Sequence, residues 1–391
     1  MSNPSPADRA DFDAFLASGD VAEDRRDDLY VYEPPPPVPW TTYLGYVLVV
    51  LAVVGAVLFA LSPAPYVIER PGPVYDTLGQ VRTSGGGEVD LIDIPEAETY
   101  PTSGRLDLLT VYLKGSPNDP PAWIDVAAAW FDPSLAIIPM DLVFPPGRTE
   151  EDADEESALD MVNSQQDAVA AALGELGMPV ESVLTVFEVV DGSPSEGVLE
   201  VEDQILSANG TPVADIEQLR DAIQEAGVGG ELVLVIRRDG VEQSVTVQPE
   251  TSEETGNPVI GIAGTTAYAE FPVEVDILLE NVGGPSAGMM FALGIYDKLT
   301  PGELTGGEHI AGTGTITGAG KVGAIGGIVQ KMYGARDAGA DWFLAPESNC
   351  RDVVGNIPDG IEVFSVSDLA GAIDTVEAIA AGGTSQLPRC R

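Results

Sequence analysis

From Tyr43 to Leu61 the chain runs for 19 residues without a charged side chain, and that run limits what the rest can become. A stretch of this length is enough to cross the hydrocarbon core of a bilayer. Trp40, Tyr43 and Tyr46 stand where an aromatic belt would meet one interface. A cleaved signal peptide would begin near the N-terminus with a short basic region. Here about 40 mostly polar residues come first, so an uncleaved anchor over residues 41–62 is expected. Arg9, Arg25 and Arg26 precede the span and only Arg70 follows closely. The positive-inside rule then puts the N-terminus inside and the bulk of the chain outside the cytoplasm. Residues 1–40 are polar and acidic and pass through Pro34 to Pro37, the pattern of a disordered tail closing in a polyproline spacer.

The 391 residues leave room for two or three further domains, and 44% apolar content allows real cores. With 63 acidic against 18 basic side chains the net charge is -45. Such a chain offers no basic face to nucleic acid or to anionic lipid headgroups. His309 is the single histidine, so a three-histidine zinc site is excluded, and no His-Glu-x-x-His occurs. His309 therefore reads as structural or surface. Cys350 and Cys390 are too few for a disulfide scaffold or a cysteine-rich metal cluster, and they pair only if this part lies in an oxidising compartment. Neither a metal nor a cofactor is expected.

Past the span, Ser62-Pro63-Ala64-Pro65 rules out a continued helix. Tyr66 to Arg70 reads as a short strand ended by a Pro71-Gly72-Pro73 turn, and Arg105 to Leu113 as a half-buried strand. The charges at Glu150, Glu151, Asp152, Asp154, Glu155 and Glu156 read as a solvated loop, followed by a helix from Ala158 to Leu176. Residues 178–250 look like a separate module. A strand at Val183–Val190 leads through Gly192-Ser193-Pro194 to Asp203–Gly210, a helix at Asp215–Ala226, and a strand ending at Arg238-Asp239-Gly240. This order resembles a bacterial PDZ domain, which implies binding of extended peptides at a sheet edge. Glu202 departs from the pattern, which usually has glycine before the aspartate.

The stretch from Gly283 to Lys331 carries the chemistry. Val273 to Leu279 reads as a half-buried strand delivering the chain to Gly284-Pro285-Ser286-Ala287-Gly288, which opens an apolar helix. A serine at a helix start is ordinarily an N-cap, but unpaired N–H groups and the helix dipole there also suit a nucleophile and an oxyanion. A Thr313-Gly314-Thr315 segment follows, then Gly326-Gly327-Ile328-Val329-Gln330-Lys331. No stretch meets Gly-x-x-x-x-Gly-Lys-Ser/Thr: Lys321 follows Gly320, yet position 315 is Thr and position 322 is Val. A lysine is a base only when neutral, and burial among uncharged neighbours such as Ile328, Val329 and Met332 favours that form. Lys298 and Lys321 are the rival bases, and both read as solvated.

These motifs, in this order and spacing, resemble the proteolytic domain of Lon-type proteases, with Thr315 departing where glutamate is usual. The whole chain is similar to membrane-anchored PDZ–Lon proteins of bacteria, which lack the ATPase part. The resemblance implies Ser286 as nucleophile and Lys331 as general base, with Thr313 hydrogen-bonded to the lysine. Oxyanion donors fall among the N–H groups from Gly284 to Ser286, to which Pro285 contributes none. The fold expected is α+β: a Lon-type proteolytic domain (residues 63–177 and 251–385) with a PDZ module between, behind one transmembrane helix. The function expected is ATP-independent cleavage of peptide or unfolded protein substrates recruited or gated by the PDZ module. A homo-oligomeric ring is implied by resemblance alone. The alternatives are a non-catalytic anchored PDZ scaffold and a regulator that cleaves only itself.

Overall fold

The structure, a computed structural model, describes residues 39–391 except 84, 146, 148, 253–255 and 281. The tail expected at residues 1–40, with its polyproline run and three arginines, lies outside the described residues up to position 38. The described chain falls into two units, one reaching Phe59 and the other running from Ala60 to Arg391.

In the first unit, α1 (Trp40–Ala60) is a 21-residue helix with no buried residue. At about 1.5 Å per residue it is long enough, and by composition apolar enough, to cross a bilayer.

In the second unit β1 (Tyr66–Asp76) continues through Pro71-Gly72-Pro73 instead of turning there. A register shift between Pro71 and Val74 takes up the prolines, which cannot donate to a ladder, at a bulge. β2 (Arg105–Lys114), α2 (Trp123–Ala129) and β3 (Ala136–Pro139) follow. The helix expected from Ala158 begins earlier: α3 spans Glu150–Glu175, so the acidic run forms its first two turns and not a loop. Thr149 caps it, accepting from the Asp152 amide at 3.1 Å while the Asp152 carboxylate accepts from the Thr149 amide at 2.9 Å. Acidic side chains are favoured at that positive helix end, and this outweighs their mutual repulsion.

The central stretch builds an antiparallel sheet from β4 (Ser182–Val189), β5 (Gln204–Ala208), β6 (Leu232–Arg238), β7 (Val241–Val247) and β8 (Ile262–Tyr268), with α4 (Ile216–Ala226) between β5 and β6. The order is β7-β6-β5-β4-β8, so β8 forms one edge. Leu184, Ile205, Leu219, Leu232, Leu234 and Ile236 fill a core of its own.

The chain then enters α5 (Gly288–Leu299), β9 (His309–Gly312), the short pair β10 (Thr315–Ile316) and β11 (Val322–Gly323), α6 (Ile328–Asp337), β12 (Trp342–Pro346), β13 (Glu362–Val366) and α7 (Leu369–Ala380). Of the strand expected at Val273–Leu279, only Asp276 and Ile277 pair, with Asp93 and Ile92. The large sheet has the order β13-β12-β9-β2-β1-β3, so strands from before and after the β4–β8 region lie side by side. β13, β12, β9 and β2 are parallel, while β1 runs antiparallel to β2 and β3. Alternation assigns the two faces. Leu106, Leu108, Ile310, Leu344 and Phe364 pack in the cluster of α3, α5 and α7, and Leu109, Ala311, Phe343 and Val363 in that of α6. α5 is buried throughout from Gly288 to Ile295 and lies hard against β9. A Cβ on Gly312 would stand 2.6 Å from Met290 Sδ and 3.1 Å from Leu344 Cβ, so any larger residue there would make Met290 of α5 move.

Candidate active site

α5 and α6 lie on opposite faces of the sheet, yet Ser286 and Lys331 meet where β9 ends. Lys331 Nζ lies 2.6 Å from Ser286 Oγ and 3.0 Å from Thr313 Oγ1. Thr313 follows the last residue of β9, the strand that separates the two helices, and so reaches both sides. Its hydroxyl donates to the Ser286 carbonyl at 2.9 Å. With that hydrogen committed, Thr313 Oγ1 must accept from an N–H of Lys331. Lys331 Nζ donates to Ser286 Oγ, and once the amine is neutral its lone pair is within reach of that hydroxyl's proton. The Ser286 carbonyl also accepts from Gly314 N–H at 2.9 Å, which pins the nucleophile's backbone.

Lys331 is 2% exposed, and Thr313 is as deeply buried. Burial lowers the lysine's pKa from its ordinary value to about 8, against an opposing pull from the carboxylate of Glu69. A neutral amine is therefore accessible near neutral pH, which an exposed lysine would not permit. The dyad opens onto a cavity of about 230 Å³, with apolar walls from Pro73, Leu109, Val111, Met161 and Val282.

The loop that presents Ser286 is held by α3. Ser164 Oγ donates to the Pro285 carbonyl at 2.9 Å, and the Gly284 N–H donates to the Ser157 carbonyl at 2.8 Å. Gly284 carries φ +83, a left-handed backbone that suits glycine. Its amide was among the expected oxyanion donors and is instead spent on Ser157. Sequence reasoning also missed Ser157, Ser164 and Glu69. The first two are seven residues apart and so share a helix face, and Glu69 is an acid that closes the apolar run Val67-Ile68.

The rival lysines stand elsewhere. Lys298 is not solvated: it is 9% exposed, donates to the Ile92 carbonyl at 2.6 Å and lies 3.6 Å from Asp90. Its charge is satisfied locally, under the segment that follows Asp90. Lys321 is half-exposed and lies 3.4 Å from Asp221 and 3.6 Å from Glu217, both on or beside the outer turns of α4. His309 is bound through Nε2 to the fully buried Asp107 at 2.6 Å, and Arg105 braces the same carboxylate at 3.0 Å. Cys350 and Cys390 form a disulfide.

Comparison with known families matches two stretches of the chain. Residues 281–380 match the Lon protease C-terminal proteolytic domain. This stretch is a Lon-type proteolytic domain. Residues 161–248 match the PDZ domain, covering most of the β7-β6-β5-β4-β8 sheet. The chain is 28% identical over 181 residues to the Lon protease of Rickettsia typhi, covering 44% of this chain and 23% of that protein. It is 26% identical over 192 residues to Lon protease 2 of Bacillus subtilis, covering 48% and 31%. It is 37% identical over 93 residues to Lon protease 1 of the same organism, covering 24% and 12%. The chain thus spans less than a third of the length of these curated relatives. Among solved structures, the PDZ domain of an SdrC-like protein from Listeria monocytogenes aligns to 21% of this chain and 85% of its own, at 22% identity and a TM-score of 0.20.

Proposed function

We propose that the protein is an ATP-independent serine endopeptidase in which Ser286 attacks and Lys331 is the general base. The observation that carries this reading is the 2.6 Å approach of a buried Nζ to Ser286 Oγ, fixed on its other side by Thr313. In the attack, Ser286 Oγ bonds to the carbonyl carbon of the substrate while its proton passes to neutral Lys331. The carbonyl oxygen gains the negative charge, which the N–H groups of Ser286 and Ala287 at the start of α5 would stabilise. The lysine then returns the proton to the leaving amine, and water completes the cycle by the same route. ATP independence rests on the sequence, in which no stretch fits a phosphate loop.

The PDZ domain is assigned recruitment or gating of peptides and unfolded proteins. β8 lies at the sheet's edge and is available to take an added strand. The edge strand and α4 each make one link beyond the sheet. Tyr268, at the end of β8, donates to Asp167 of α3, and α4 meets Lys321 of the β10–β11 turn. The proposal places the bulk of the chain outside the cytoplasm behind α1. Charge around the span and the Cys350–Cys390 disulfide favour that side. A homo-oligomeric ring is included on the likeness to Lon proteases alone.

The test is to incubate the full chain in detergent with an unfolded protein, beside Ser286→Ala and Lys331→Ala. The wild type is expected to cleave and both variants to lose activity by at least about a thousandfold. Equal cleavage by all three would remove the dyad assignment, and cleavage by none would favour the scaffold reading.

A further inference from the structure

Glu69 is a carboxylate that the dyad does not use. It lies on β1 between Leu113 of β2 and Ala136 of β3, and is 7% exposed. Among the described residues its side chain has no hydrogen bond and no ion pair within 4 Å. Its oxygens keep a little contact with solvent, yet a carboxylate held this deep without a partner is costly, and proteins seldom keep one without a use.

Its position is specific. Glu69 Oε1 and Cδ lie 2.4 and 3.0 Å from where a Cβ on Gly327 would stand. Gly327 is the N-cap of α6 at φ +67, and its carbonyl accepts from the Lys331 N–H at 2.9 Å. Glycine at 327 therefore serves two ends, the left-handed turn and room for the carboxylate. Glu69 is thereby held one helical turn from the base. The other titratable groups around Lys331 are weaker claimants. Tyr75 of β1 and Tyr112 of β2 line the cavity as phenols. Arg70 stacks on the Tyr112 ring at 4.3 Å. Arg336 and Asp337, at the far end of α6, pair with each other. Arg351 and Asp352, on the short helix that packs on α6, are exposed.

We propose that Glu69 is a positioning residue for the general base, whose buried negative charge stabilises Lys331 Nζ once it has taken the proton of Ser286. The proposal rests on the dyad reading above. Burial alone makes the lysine easy to deprotonate but a poor acceptor, since the ammonium it must become is then destabilised. A nearby carboxylate restores part of that basicity without touching the reacting atoms. Burial raises the pKa of Glu69 itself while Lys331 lowers it, so the two charges support each other.

Two measurements on the full chain decide it. The first is the pH profile of kcat/KM on a labelled unfolded protein for wild type, Glu69→Gln and Glu69→Asp. Glu69→Gln is expected to move the acid limb about one unit lower and to reduce the high-pH plateau several-fold, with Glu69→Asp between. The second is the pH dependence of Lys331 acetylation by acetic anhydride in a Ser286→Ala background, read by mass spectrometry. Its midpoint is expected to fall by the same amount in Glu69→Gln, and this readout needs no cleavage. An unshifted midpoint, with or without loss of rate, would overturn the role of Glu69. A shifted midpoint in a protein that cleaves nothing would keep it and remove the protease reading instead.

Discussion

At the residue scale, the site depends on one lysine being buried without a counter-ion in contact. Its lowered pKa follows from burial, not from any feature of lysine itself. Ser286, Thr313 and Lys331 were legible through the resemblance of three glycine-flanked motifs to Lon-type proteolytic domains, and without that resemblance Thr313 reads as an ordinary strand threonine. Glu202 was legible in a different way, as a departure from pattern. It adopts φ +76, where a side chain costs about 1 kcal/mol and glycine does not. Glu202→Gly is expected to stabilise the PDZ domain by about 0.5–1 kcal/mol in urea unfolding. An unchanged or lower midpoint would show that the carboxylate has a compensating contact. Lys298 was misread for want of a partner: nothing in its sequence neighbourhood announces the distant Ile92 carbonyl that receives it.

At the scale of elements, α3 matters more than its composition suggests. Its acidic first turns look like a loop until Thr149 and Asp152 are seen to cap them, and such a cap is worth about 1 kcal/mol. One face of the helix then carries both Ser157 and Ser164 to the loop in front of the nucleophile. Ser164→Ala removes the bond to the half-buried Pro285 carbonyl and leaves it only the long 3.4 Å approach of the Gly288 N–H. The expected result is about a tenfold fall in kcat with KM little changed, because positioning and not substrate binding is lost. A rise in KM alone would place Ser164 in substrate binding. The β8 strand, by contrast, could not be read from local pattern. Ile262 to Tyr268 contains Gly264 and two threonines, and only the long-range pairing with β4 gives it an edge position.

At the scale of the whole molecule, the large sheet is assembled from strands on both sides of the PDZ domain in sequence, and the site sits where they join. The disulfide adds a second closure, linking residues 40 apart near the C-terminus. A loop of that length contributes about 4 kcal/mol by restricting the unfolded chain. Reduction, or Cys350→Ser with Cys390→Ser, is expected to lower the thermal midpoint by several degrees, and no change would mean that the bond adds nothing to the fold. The charge of -45 was plain from composition, yet it describes the surface and not the cavity at the dyad, where Lys331 is the one charged side chain among the described lining residues. The central claim is that Ser286 is made reactive by Lys331. The most direct measurement is the rate at which a fluorophosphonate labels the full chain across pH, with the adduct located by mass spectrometry. One adduct is expected, on Ser286, forming faster as pH rises through about 8 and absent in Lys331→Ala. Labelling of Ser286 no faster than that of other serines, or unaffected by loss of Lys331, would contradict it.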